Sequence, residues 1–127
     1  MANLSGTWLG TYWQREQPTR FEATFLQSNN ALTGNILDDG HLGEASLTGE
    51  VIGRSVTFTK IYITAPQYRI EYVGTLMEDE NFIQGEWRIS HAKFRESGLW
   101  EARRNDNDLM QELQNQLKRQ VSLVATN

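Results

Sequence analysis

Ile83-Gln84-Gly85-Glu86-Trp87 puts a glycine midway between two bulky apolar residues, each two positions away. The same arrangement occurs in Leu4-Ser5-Gly6-Thr7-Trp8, Leu32-Thr33-Gly34-Asn35-Ile36, Leu47-Thr48-Gly49-Glu50-Val51 and Tyr72-Val73-Gly74-Thr75-Leu76. In a strand, residues i−2, i and i+2 share one face. Each glycine therefore lies on an apolar face between two large side chains. Alternating small and large inward residues suit a narrow closed barrel, and glycine lets a strand bend enough to close it. The pattern speaks to architecture and leaves the function open.

Working outward from these segments, alternating stretches recur at short intervals broken by turn residues. The spacing predicts strands over 4–14, 19–27, 32–38, 45–52, 55–64, 67–76, 82–90 and 98–104. Asp39-Gly40 and Gly53-Arg54 are tight-turn dipeptides. The stretch from His91 to Ser97 reads as a longer loop. Nothing between the strands reads as a crossover helix, which argues against a parallel sheet. The expected fold is all-β, an eight-stranded up-and-down antiparallel meander barrel with a C-terminal amphipathic helix. A two-sheet sandwich is the alternative.

Residues 1–104 form the expected barrel domain. In 105–127, Leu109, Leu113, Leu117 and Val121 recur every four residues in a polar, glutamine-rich segment, as on one face of a helix. That helix either packs on the barrel, covering the outward Leu9, Trp13 and Leu99, or serves dimerisation. Ile61, Ile63 and Val73 form a second outward apolar set, a candidate subunit interface.

A chain of 127 residues is one domain in size, and it has no cysteine, so disulfides and thiolate chemistry are excluded. The net charge of −4, with basic residues scattered among acids, argues against nucleic acid or an anionic membrane as partner. The opening MANLSGTW has neither a basic n-region nor an apolar h-region, so no signal peptide and a cytoplasmic location are expected. No phosphate-binding glycine loop, HExxH or nucleophile elbow is present. Asp38, Asp39, His41 and Glu44 lie close in sequence, but a solvated turn explains them better than a metal, and no metal or cofactor is expected.

With the glycine face inward, Trp8, Tyr12, Phe58, Tyr62, Tyr72, Trp87 and Trp100 point into the barrel. Lys60 shares the inward face of its strand with Val56, Phe58 and Tyr62. A buried ammonium is costly unless paired. Three roles are open to it: pairing with an internal acid such as Asp38 or Glu101, holding its head in water at the mouth, or meeting an anionic group on a ligand. These eight residues are the candidate ligand-binding set. The leading expectation is a non-enzymatic barrel for a small apolar or anionic ligand. The alternative is a barrel filled by its own side chains and acting as an oligomerising interaction module.

Gly6-Thr7-Trp8 resembles the Gly-x-Trp entry of the lipocalins, whose tryptophan packs at the barrel base against a late-strand arginine. The resemblance implies that pairing for Trp8 and Arg104, with Arg103 the other candidate. In length and strand number the chain is more similar to avidin and streptavidin. There a Leu-x-Gly-x-Trp start also precedes eight meandering strands, and Gly85-Glu86-Trp87-Arg88 and Trp100-Glu101-Ala102-Arg103 resemble the late strands. The biotin site of that family needs a polar cluster just after the first tryptophan and a late Asp. Here Leu9 and Gly10 follow Trp8 and the Asp pattern is missing, so biotin binding is not implied.

Overall fold

Eight antiparallel strands pair in chain order, and the last pairs with the first to close a barrel. They are β1 (Gly6–Gln14), β2 (Gln17–Ser28), β3 (Ala31–Asp38), β4 (Glu44–Ile52), β5 (Ser55–Tyr62), β6 (Arg69–Leu76), β7 (Phe82–His91) and β8 (Phe94–Arg104). The computed structural model describes residues 3–91, 94–105 and 116–118. The all-β meander is thus as the alternation predicts, and the sandwich is excluded by the closing β1–β8 pair.

Burial alternates along the strands with the expected phase. In β5, Val56, Phe58, Lys60 and Tyr62 are buried, and in β6 Ile70, Tyr72 and Leu76 are. The largest correction concerns β8. It begins at Phe94 and not at Gly98, through main-chain pairing of Ser90 with Arg95 and Ile89 with Glu96. This stretch reads as a loop because it carries no apolar alternation. Main-chain hydrogen bonds need none, and Glu96 is further held by Gln14 Nε2 at 3.0 Å and Arg15 Nε at 3.1 Å. The other corrections are at strand ends: β1 starts at Gly6, β2 at Gln17 and β6 at Arg69, and β5 stops at Tyr62.

The inward glycines receive rings from strands one or two places away in the barrel. A Cβ on Gly74 would lie 2.7 Å from the Trp100 ring, and one on Gly98 would lie 2.6 Å from Trp87 Nε1. Each tryptophan crosses its glycine and donates its indole N–H to a main-chain carbonyl: Trp100 to Val73 at 3.1 Å, Trp87 to Trp13 at 3.0 Å. Gly34 has φ +154°, and a Cβ there would overlap the Thr24 carbonyl across the β2–β3 pair. Only glycine tolerates both conditions.

The barrel has two unlike ends. At one end the chain enters through Leu4 and Ser5 and leaves through Arg104. Leu4 is fully buried, Trp8 Nε1 donates to its carbonyl at 2.9 Å, and its N–H donates to Gln27 Oε1 at 2.9 Å. The Arg104 guanidinium lies 4.7 Å from the Trp8 ring, which makes it the late-strand arginine in preference to Arg103. It donates to the main-chain carbonyls of Ser5, Asn3 and Glu80 and to Asn81 Oδ1, at 3.0–3.3 Å. The opposite, loop end carries the β3–β4 segment 39–43 and the β5–β6 segment 63–68.

Of the C-terminal segment, residues 116–118, Leu117 included, are helical. The rest of the predicted helix, with Leu109, Leu113 and Val121, lies outside the described residues. Leu9 and Leu99 are exposed on the outer wall. Among the described residues, no helix is long and apolar enough to cross a membrane.

Candidate functional site

The loop end holds the one buried charged pair among the described residues. Asp38 is the last residue of β3, and parity with Leu32 and Ile36 turns it inward. The segment behind it is clipped shut: Asp38 N–H donates to the Gly43 carbonyl at 3.0 Å, and Asp39 N–H to the Arg20 carbonyl at 2.9 Å. Gly43 turns that corner at φ +68°. Lys60 lies in β5 opposite Leu47 of β4 and Ile70 of β6, with no exposed surface.

Lys60 Nζ donates to both Asp38 oxygens, at 3.0 and 2.9 Å, and to the Tyr72 hydroxyl at 3.4 Å. The Tyr62 hydroxyl donates to Asp38 Oδ2, and the Tyr12 hydroxyl approaches the same oxygen at 3.3 Å. Three tyrosine rings surround the ammonium, with centroids at 4.5 Å (Tyr62), 4.8 Å (Tyr12) and 5.6 Å (Tyr72). Ring faces attract a cation, more strongly where water is excluded. Of the two acids named from sequence, Asp38 is thus the partner. Glu101 alternates with the inward Trp100 and Ala102 and lines the outer wall.

Burial sets the ionisation of the cluster. It lowers the Lys60 pKa, and the adjacent Asp38 charge opposes that effect only in part. It raises the phenols of Tyr62, Tyr72 and Tyr12, and the Asp38 carboxylate adds to the rise in each. The tyrosines therefore stay protonated around the pair, Tyr62 and Tyr12 as donors to Asp38 and Tyr72 as an acceptor from Lys60. Asp38, Lys60, Tyr62 and Tyr72 are all buried, whereas Tyr12 is only partly so. Tyr12 is the least buried member of the cluster.

The remaining candidates do not join this cluster. Phe58 stacks on Tyr72 at 4.8 Å, and Trp100 meets both edge-on at 5.7 and 5.3 Å. Phe25 links Phe58 to Trp8, with centroids 5.8 and 6.0 Å apart. This chain of rings runs from the cluster to the closed end, at the separations of well-packed aromatic pairs. Trp87 lies edge-on to Tyr12 at 6.3 Å, at the loop end. The glycine positions thus accommodate the protein's own rings.

Asp38, named from sequence as a partner for Lys60, lies one step beyond the inward Leu32-Gly34-Ile36 parity, and Tyr68 packs against the core as the parity with Ile70 and Tyr72 predicts. Two features escaped sequence reasoning. Leu42 and Ala65 pack over the core from the two loops, and no periodicity signals loop residues. Thr64 Oγ1 ties those loops together through the Leu42 carbonyl at 3.3 Å. The chain matches no protein-family model and no curated protein sequence.

Proposed function

We propose that this chain is a non-catalytic binding barrel that takes a small, neutral, largely apolar molecule at its loop end. The polar group of that molecule hydrogen-bonds Tyr12, which connects it to Asp38, Lys60 and Tyr62. The carrying observation is the buried, fully hydrogen-bonded Lys60–Asp38 pair with the partly buried Tyr12 beside it at the loop end. A buried ion pair is a poor way to gain stability, because the desolvation of two charges offsets most of their attraction. Polar groups gathered at one end of an otherwise apolar barrel suit recognition. The calycin-type resemblance of the Gly6-Thr7-Trp8 entry agrees with such a role. An anionic ligand is the weaker choice, since it would have to compete with Asp38 for Lys60. A catalytic role is weaker too, because the phenols are held protonated and Lys60 is fully engaged.

The packed chain of rings favours a second reading, a filled barrel that works through its outer wall. Thermal-shift measurements with octanol and octanamide, against octanoate and octylamine, separate the two. The binding reading expects stabilisation by the neutral pair that Tyr12→Phe removes while the unliganded melting temperature changes little. Equal melting with and without every compound would leave the interaction module as the better account.

A further inference from the structure

The outer wall of β8, β1 and β2 carries charges in a pattern that is complementary to itself. One cross-strand row reads Phe82, Arg103, Leu9, Glu22, Leu37 from β7 to β3. The next row reads Glu101, Thr11, Arg20. Adjacent strands lie about 4.8 Å apart, so Arg103 and Glu22 flank Leu9 evenly, as Glu101 and Arg20 flank Thr11. None of these four charged residues has an ion-pair partner among the described residues. Leu9 and Leu37 are about half exposed, at 49% and 57%. A shallow groove opens on this wall between Leu9, Thr11, Arg20, Leu37 and Arg103.

We propose that this wall docks a second copy of the chain about a two-fold axis that runs along β1. Such an axis brings each position against its mirror position in the same row. Leu9 meets Leu9 and Thr11 meets Thr11. Arg103 meets Glu22, and Arg20 meets Glu101, twice each. In the outer columns, Phe82 meets Leu37. The Arg103 guanidinium already lies 4.5 Å from the Phe82 ring, which holds it against the wall beside its proposed partner. Charge rows of this kind fix the register of an interface and exclude shifted alternatives. A shift by one row would set Arg103 against Arg20 and Glu22 against Glu101.

The test is sedimentation of the full chain across a concentration series. Wild type is expected to dimerise. Arg103→Glu and Glu22→Arg are each expected to weaken the dimer roughly tenfold or more, and the double swap to restore it. Restoration also shows that the single variants fold. Because the chain has no cysteine, Leu9→Cys supplies a unique thiol. It is expected to form disulfide-linked dimers on oxidation, whereas Thr48→Cys, exposed on β4 across the barrel, is not. A monomer at every concentration overturns the proposal. So does a dimer indifferent to both charge reversals, including one that is lost only when residues 105–127 are removed.

Discussion

Each end of this barrel holds a cation against aromatic rings, and the two solve the same problem differently. At the closed end Arg104 lies over Trp8 and is held mainly by main-chain carbonyls. At the loop end Lys60 lies among three tyrosines and is held by the Asp38 carboxylate. Main-chain carbonyls do not titrate and cannot leave, so the first arrangement pins the chain's entry and exit together. The second is built from side chains that ionise, and one of them, Tyr12, is partly exposed. The difference separates a structural closure from a site whose hydrogen bonds can be exchanged.

The largest expected break in this comparison is Asp38→Leu. It strands the Lys60 ammonium in the core, and removing one member of a buried pair costs about 3–5 kcal/mol. Combining it with Lys60→Met and Tyr62→Phe removes the stranded groups as well. The triple variant is expected to recover at least half of the loss in urea denaturation. If the triple variant is no more stable than Asp38→Leu, the pair is a stabilising element and the contrast between the ends fails.

Alkaline pH comes next, and the sign follows from proton counts. Lys60, with its pKa lowered in the fold, binds fewer protons there than in the unfolded chain, so its contribution to stability rises with pH up to about 10.5. The Tyr62 and Tyr72 phenols, raised in the fold from the ordinary 10.0, hold protons that the unfolded chain releases. Their contribution is complete below pH 10 and is lost above it, at up to about 1.4 kcal/mol per pH unit for each phenol. Stability is therefore expected to hold to about pH 10 and then fall. Tyrosine absorbance should rise in step with unfolding. Ionisation of these phenols in the folded barrel would contradict the geometry.

At the closed end Arg104→Met is expected to cost less, about 1–3 kcal/mol, since part of the site is solvated and water can replace the guanidinium at the carbonyls. Its cost should be independent of pH up to about 10, whereas the loop end weakens above that pH. A loss as large as that of Asp38→Leu would make the two ends equivalent.

Much of this was legible in the sequence, for a definite reason. Side-chain alternation has period two, so Gly74 and Gly85 fix the inward face of their strands, and Val56, Phe58 and Tyr62 in the same way place Lys60 inside. Parity also turns both Trp8 and Arg104 inward, and the β1–β8 register sets them opposite each other. What alternation cannot tell is whether inward rings line a space or occupy it. Trp100 crosses Gly74, and Phe58 stacks on Tyr72, because of side-chain packing that no periodicity encodes. The early start of β8 was hidden because its pairing is carried by main-chain hydrogen bonds.

The two ends can be compared within one experiment, because a tryptophan reports on each. Trp87 lies beside Tyr12 at the loop end, and Trp8 is sealed under Leu4 and Arg104 at the other. Titration with octanamide, followed by the indole N–H resonances, tests the proposed site most directly. The account predicts that the Trp87 resonance moves and saturates while that of Trp8 stays in place. A Trp87 signal that does not respond, or a Trp8 signal that moves with it, would contradict recognition at the loop end.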